Sequence, residues 1–253
     1  MVAAEAATQW LTDYHNLLAR HGLDATTLMD STLTPANREQ PALFSLAQLL
    51  ANPDLLQQQV LKDYQDADHP RLRKARLSVL HQSLALQIIG PLVIRLFRDG
   101  SSAALDPRRV FLCPTTSTPA DPSRWQYAAS KQEILEPEAF IRILSEQMQD
   151  WYGVFRQHFG VSPGAYWSSV GLALGAPYSV VWNRVNPAEL CKQADSWLAQ
   201  FKCEANRYID WIPAEFSQQW CAIPQRKGCC LKYLLPGGGY CGTCGIYRKE
   251  RIS

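Results

Sequence analysis

Charge is scarce in this chain and almost balanced: 19% of the 253 residues are charged, and 25 basic against 23 acidic side chains leave only +2. No field of one sign marks the whole molecule as a nucleic-acid binder. Long apolar runs are missing as well. The most apolar stretch, Ser78 to Phe97, is interrupted by His81, Gln82, Gln87, Arg95 and a Gly90-Pro91 break. It therefore falls short of the roughly 20 apolar residues that span a bilayer. Met1 to Glu5 hold neither the basic nor the apolar region of a secretory signal. A cytoplasmic protein with no integral membrane segment and no nucleic-acid partner is expected. Histidine is rare too: His15, His21, His69, His81 and His158 sit in no ligand or nucleophile motif and read as core or surface residues. Internal repeats and low-complexity linkers are absent, and an apolar fraction of 47% excludes a largely disordered or collagen-like chain. A chain of this length buries a sizeable core without covalent staples.

Helical periodicity dominates up to about residue 205. Trp10, Leu11, Tyr14, Leu17 and Leu18 recur at three- and four-residue spacing, as one buried helical face requires. A second helical stretch begins near Pro41 and breaks at Asn52-Pro53, because the residue before a proline is pushed away from helix and Pro53 opens a new first turn. From Pro70 a basic start, Arg71, Arg73, Lys74 and Arg76, gives way to an apolar stretch around Ala85 to Ile94, the pattern of a buried central helix that Gly90-Pro91 kinks or splits. Phe140, Ile141, Leu144, Met148, Trp151 and Phe155 mark a further helix from about Pro137 to Gly160. Ser162-Pro163 and Asn186-Pro187 each place a capping side chain before a proline at the first helical position. Between Arg109 and Ala129 the pattern changes to two short strands around a Thr/Ser/Pro-rich turn. The expected fold is mainly α with a small antiparallel β-sheet (α+β). A helical scaffold domain, 1–205, with a β-hairpin near 109–129, precedes a short irregular cysteine-rich segment, 206–253.

Cysteine is thinly spread at first, with only Cys113 and Cys191 in the first 200 residues, and then crowded. Cys203, Cys221, Cys229, Cys230, Cys241 and Cys244 fall within the last part of the chain. In a reducing compartment such crowding points to a metal more than to disulfides. Cys229-Cys230 is separated by ten residues from Cys241-Gly-Thr-Cys244. Two residues between Cys241 and Cys244 let both thiolates reach one metal. Adjacent side chains point apart, so Cys229 and Cys230 address a single ion only from a distorted backbone, and a dinuclear cluster is less demanding. From the residues alone, structural zinc, a 2Fe-2S cluster, and disulfides or inert thiols all remain open. Cys203 and Cys221 read as small buried hydrophobes before spare ligands. Gly237, Gly239 and Gly242 formally complete a dinucleotide-binding G-x-G-x-x-G, but no strand–helix–strand unit can follow so close to the C-terminus, and the match is rejected. The segment from Arg226 onward holds six basic residues against Glu250, a local +5 that leaves the preceding chain at −3.

The run from Cys229 to Cys244 at the end of a helical chain resembles the siderophore-iron reductases of the FhuF type. The stretch from Ser162 to Trp182 resembles, more loosely, the segment before their cluster domain. What the resemblance implies is a 2Fe-2S cluster held by Cys229, Cys230, Cys241 and Cys244, which passes one electron to siderophore-bound Fe(III) in the cytoplasm. Fe(II) is then released, because hard anionic oxygen donors hold it poorly. No flavin or nicotinamide site is evident, so a separate donor of the ferredoxin or flavin reductase type is expected. Arg226, Lys227, Lys232 and Arg248 are the candidate docking groups for an anionic chelate, with Tyr233 and Tyr240 as aromatic walls. An iron-sulfur electron carrier or redox sensor with a protein partner, or a structural zinc module, are the alternatives.

Overall fold

Apolar faces at helical spacing dictate most of the architecture in the computed structural model, which describes residues 8–33, 41–115, 122–128 and 133–246. Helix α1 (Gln9–Arg20) buries Trp10, Tyr14, Leu17 and Leu18, and α2 (Ala25–Asp30) follows behind an Asp24 cap. A two-residue strand, β1 (Phe44–Ser45), then leads directly into α3 (Leu46–Ala51), where Ser45 and Gln48 form a reciprocal capping box. The break at Asn52-Pro53 separates α3 from α4 (Asp54–Asp63), as the proline requires.

The central rod is α5 (Pro70–Leu84), a π-helical turn (Ala85–Ile89) and α6 (Gly90–Asp99). The kink expected at Gly90-Pro91 takes the form of that wide turn: Gly90 N–H donates to Ala85 O, five residues back, loosening the helix where Pro91 lacks a donor. The rod from Pro70 to Asp99 is 30 residues long and apolar enough to cross a membrane by length and composition, and 67% of its most apolar window is buried inside the protein.

Short strand pairs decorate this core. β2 (Ser102–Ala103) pairs antiparallel with β5 (Ile134–Leu135), while β3 (Val110–Pro114) pairs with β4 (Ser123–Tyr127) and with β1. The expected hairpin is thus present with a third strand added. Residues 116–121 of its turn, and Ala129, lie outside the described residues. Helix α7 (Pro137–Phe159) ends on Gly160 in the left-handed region (φ 63°), the C-terminal stop that position predicts. Ser162 caps α8 (Pro163–Leu174) and Asn186 caps α10 (Pro187–Leu198), with the short α9 (Ala176–Val180) between them.

An aromatic cluster ties the two ends of this helical body together. Trp10 meets Trp197 at 4.3 Å and Phe97 at 4.8 Å between ring centroids. Tyr14 donates to the Pro177 carbonyl at 2.8 Å and Trp197 to that of Leu174 at 2.8 Å, so these rings are satisfied as well as buried.

The stretch after residue 205 departs from expectation. Instead of irregular chain, β6 (Ile209–Phe216) and β7 (Gln219–Arg226) form an antiparallel hairpin in which Ile209 faces Arg226 and Ala214 faces Cys221. Ile209, Trp211 and Ala222 enter the same hydrophobic core as Trp10, and Ala205 at the expected boundary is buried in it too. Gly171 lets the hairpin close on α8: a side chain there would meet Ile209 at 2.8 Å. The fold is mainly helical with small antiparallel sheets, and the hairpin carries the chain directly to the cysteines.

Candidate metal centre

Strand β7 delivers Arg226 into the body while its main chain turns out toward the cysteines. The side chain is 1% exposed. Nε donates to Ser168 Oγ at 2.9 Å, and Nη2 donates to Ser169 Oγ at 2.8 Å and to the Ala165 carbonyl at 3.2 Å, all on α8. The Arg226 N–H donates to Thr243 O at 3.0 Å, joining β7 to the turn between Cys241 and Cys244. Two residues on, Gly228 lies flat on the start of α8: a Cβ there would fall 2.0 Å from the backbone of Gly164. Only glycine permits that approach, which sets Cys229 and Cys230 beside α8. The first stretch quoted for the resemblance, 162–182, is therefore in contact with the residue that immediately precedes the second, 229–244.

The cysteine segment closes on itself with local bonds. Leu231, in the left-handed region at φ 64°, turns its N–H onto Cys229 Sγ at 3.3 Å. The left-handed residue follows the cysteine pair, and neither Cys229 nor Cys230 has a positive φ. A 3₁₀ turn (Lys232–Leu234) and the glycine loop follow, with Gly237 and Gly239 both at positive φ. The loop joins the 3₁₀ turn to the cysteine turn, not a strand to a helix, consistent with rejecting a dinucleotide site. Cys244 N–H donates to Cys241 O at 2.9 Å, forming the chelating turn.

Cys230 and Cys244 are buried, and Cys229 and Cys241 are half-buried. Cys230 donates to Cys241, so the two halves of the motif meet. That hydrogen bond is the main reason the Cys241 thiol falls to about 5, helped by Thr243 and by the Arg226 charge. Cys230, which holds the proton and is desolvated, is pushed up. Burial raises Cys229, against the pull of Arg226. Cys229 also feels Cys244 and Cys241 electrostatically.

Four thiols are the donor set that a 2Fe-2S cluster takes. Among the described residues no three His, Cys, Asp or Glu side chains stand in metal-holding geometry, for one ion or for a cluster. The four thiols stand on two backbone segments, and the buried Arg226 carries an Nη1 that has no hydrogen-bond partner among the described residues. A buried guanidinium that influences Cys229, Cys230 and Cys241 fits an anionic group held by thiolates. The remaining cysteines are used elsewhere: the Cys221 thiol donates to Gln219 O at 3.2 Å inside its own hairpin, and burial pushes Cys203 up to about 11.

The docking residues fare differently. Arg226 is buried and cannot meet a bound chelate, so its expected role is corrected: it faces the cysteines and α8, not solvent. Lys227 pairs with Asp210 at 2.8 Å on the surface. Lys232 is exposed, and Arg248 lies outside the described residues. Tyr233 and Tyr240 stack on each other at 5.4 Å and 17°, with 37% and 45% of their surfaces exposed. Sequence reasoning missed Ser168 and Ser169, because serines inside an apolar helix carry no periodic signal. The helix they stand on was nevertheless within the looser of the two resembling stretches.

Fold and site together describe a mainly helical protein whose last described segment, reached through a β-hairpin, carries Cys229, Cys230, Cys241 and Cys244. The family model for the FhuF 2Fe-2S C-terminal domain matches residues 226–244, from the buried arginine to the last of the four cysteines, and indicates a 2Fe-2S cluster as the cofactor. No curated protein and no solved structure matches the chain.

Proposed function

We propose that this protein is a cytoplasmic ferric-siderophore reductase. The observation that carries the reading is the match of residues 226–244 to the FhuF 2Fe-2S C-terminal domain, a stretch that holds Cys229, Cys230, Cys241 and Cys244, of which Cys229 and Cys241 are half-exposed. When bound, the cluster supplies a one-electron store, filled by a separate protein donor and emptied onto siderophore-held Fe(III), which leaves as Fe(II).

The chain's own contribution is access and attraction. Cys230 and Cys244 anchor the inner side, while Cys229 and Cys241 form the outer edge where a partner approaches most closely. Lys232 beside that edge presents an unburied positive charge to an anionic chelate. The stacked Tyr233–Tyr240 pair offers a flat wall next to it. No general acid or base is needed, because the reaction moves an electron and the ligand exchange follows from the weaker hold of oxygen donors on Fe(II).

The test is anaerobic. Purified protein is assayed for iron and acid-labile sulfide, reduced with dithionite, freed of excess reductant and mixed with a ferric siderophore and a chromogenic Fe(II) chelator. Return of the visible absorption with one Fe(II) captured per cluster supports the reductase. A cluster that cycles with protein partners but ignores every ferric chelate makes the protein an electron carrier or redox sensor. A colourless protein with bound zinc, in preparations shown not to have lost a cluster, returns the tail to a structural role.

A further inference from the structure

Among the described residues, nothing answers the charge of the buried Arg226. The three side-chain hydrogen bonds it makes there all go to neutral acceptors, and Nη1 has none. Among the described residues no carboxylate pairs with it. Isolated buried charge is strongly unfavourable unless an opposite charge answers it. His81 does not help: 3% exposed and stacked 4.2 Å from Tyr166, it is held neutral by burial and by Arg226 itself. On the other side stand the cysteine segments: the Arg226 N–H donates to Thr243 O between Cys241 and Cys244 at 3.0 Å, and Ser168, which accepts from Nε, lies 3.5 Å from Gly228 O, next to Cys229.

A 2Fe-2S cluster on four thiolates carries net negative charge, and one electron adds another unit. A fixed cation nearby, shielded from water, favours the reduced form over the oxidised one. The hydroxyls that hold Arg226 are satisfied without it, since Ser168 donates to Gly164 O at 2.5 Å and Ser169 to Ala165 O at 2.8 Å. They present only lone pairs to the guanidinium, which aims it without neutralising it.

We propose that Arg226 is the internal counter-charge of the cluster, a positioning residue that raises its reduction potential and favours its uptake. This follows from the cluster alone and is independent of which acceptor the protein serves.

The test compares Arg226→Met and Arg226→Lys with the natural chain by dye-coupled potentiometry of loaded protein and by thermal melting of both apo and loaded forms. Met is expected to lower the equilibrium constant for reduction at least tenfold, about 59 mV for one electron, and Lys to stay near the natural value. Loading is expected to raise the melting temperature less in R226M than in the natural protein. An R226M cluster at the natural potential overturns the proposal. Should R226M take up no cluster, the apoproteins decide. A melting temperature at or above that of the natural apoprotein, with cluster in R226K, supports the counter-charge. A lower apo melting temperature, or an empty R226K, makes Arg226 a residue that only holds the fold.

Discussion

The helical body and the cysteine segment are stabilised by different physics. The body buries Trp10, Tyr14, Phe97, Tyr178 and Trp197 in one aromatic cluster within a core that runs on to Ala222. After Arg226, burial becomes sparse: Cys230, Leu235 and Cys244 are buried, while Tyr233, Tyr240 and Ile246 stand exposed. The segment is held to the body by backbone contacts, Arg226 to Thr243, Lys227 to Tyr208 at 2.9 Å and Gly228 against Gly164. A region with so little apolar burial is expected to depend on its metal for order, whereas the body is not. Under the proposed function, the chemistry then falls to the part of the chain least able to fold by itself.

The sharpest break is removal of a ligand. Cys244→Ser or Cys230→Ser is expected to reduce iron and labile sulfide per chain by more than about tenfold, because outer partners alone already shift metal affinity 10- to 100-fold. Far-ultraviolet circular dichroism should keep the helical signal of the body, and a collapse of that signal would contradict the division. The reverse experiment strikes the core. Trp197→Ala is expected to cost the body about 3–5 kcal/mol, read as a lower melting temperature, while protein that remains folded keeps its cluster spectrum.

A pH titration sharpens the comparison from inside the body. His81 has its pKa held down to about 3 by burial first and the Arg226 charge second, against 6.5 for a free histidine. The unfolded chain therefore takes up this proton before the folded one as pH falls. The stabilisation is complete above about pH 6.5 and is lost progressively toward about pH 3. Denaturant melts of the apoprotein should show that slope, and His81→Leu should flatten it.

Gly228→Ala tests the joint between the regions. A methyl group driven against the Gly164 backbone is expected to cost about 1–3 kcal/mol, with cluster content per chain reduced and the core's own melting little changed. Lys232→Ala is expected to have the smallest effect, about a twofold higher KM for an anionic ferric chelate with kcat unchanged. An exposed charge is worth well under about 1 kcal/mol, and the difference should fade at high salt.

The helices were legible because their signals are local. Pro137 and Gly160 bracket α7, and the Ser162 and Asn186 caps open α8 and α10, each read from a capping residue or a glycine stop beside a periodic face. The β6–β7 hairpin was not. Pro213 and Pro224 lie inside its strands and argue against them, a cost tolerated here because both strands of a two-stranded ribbon are edges. Its turn uses Ser217 and Gln218 at φ 50° and 65°, where an Asn-Gly or Gly-containing pair is the usual sign. Burial against α8 and α10 decides that conformation over local preference.

The four cysteines and their spacing were determined by the sequence alone, because thiolate identity and chain separation are covalent facts, whereas the kind of centre came from the family match over residues 226–244 and not from the spacing. Which charge stands behind them was decided only by the tertiary structure. Arg226 and Lys227 are neighbours of one charge in the sequence, yet strand register turns the first into α8 and leaves the second in water with Asp210. Side chains on a strand alternate between two environments, so the same charge becomes a buried partner of the cluster at one residue and a surface group at the next.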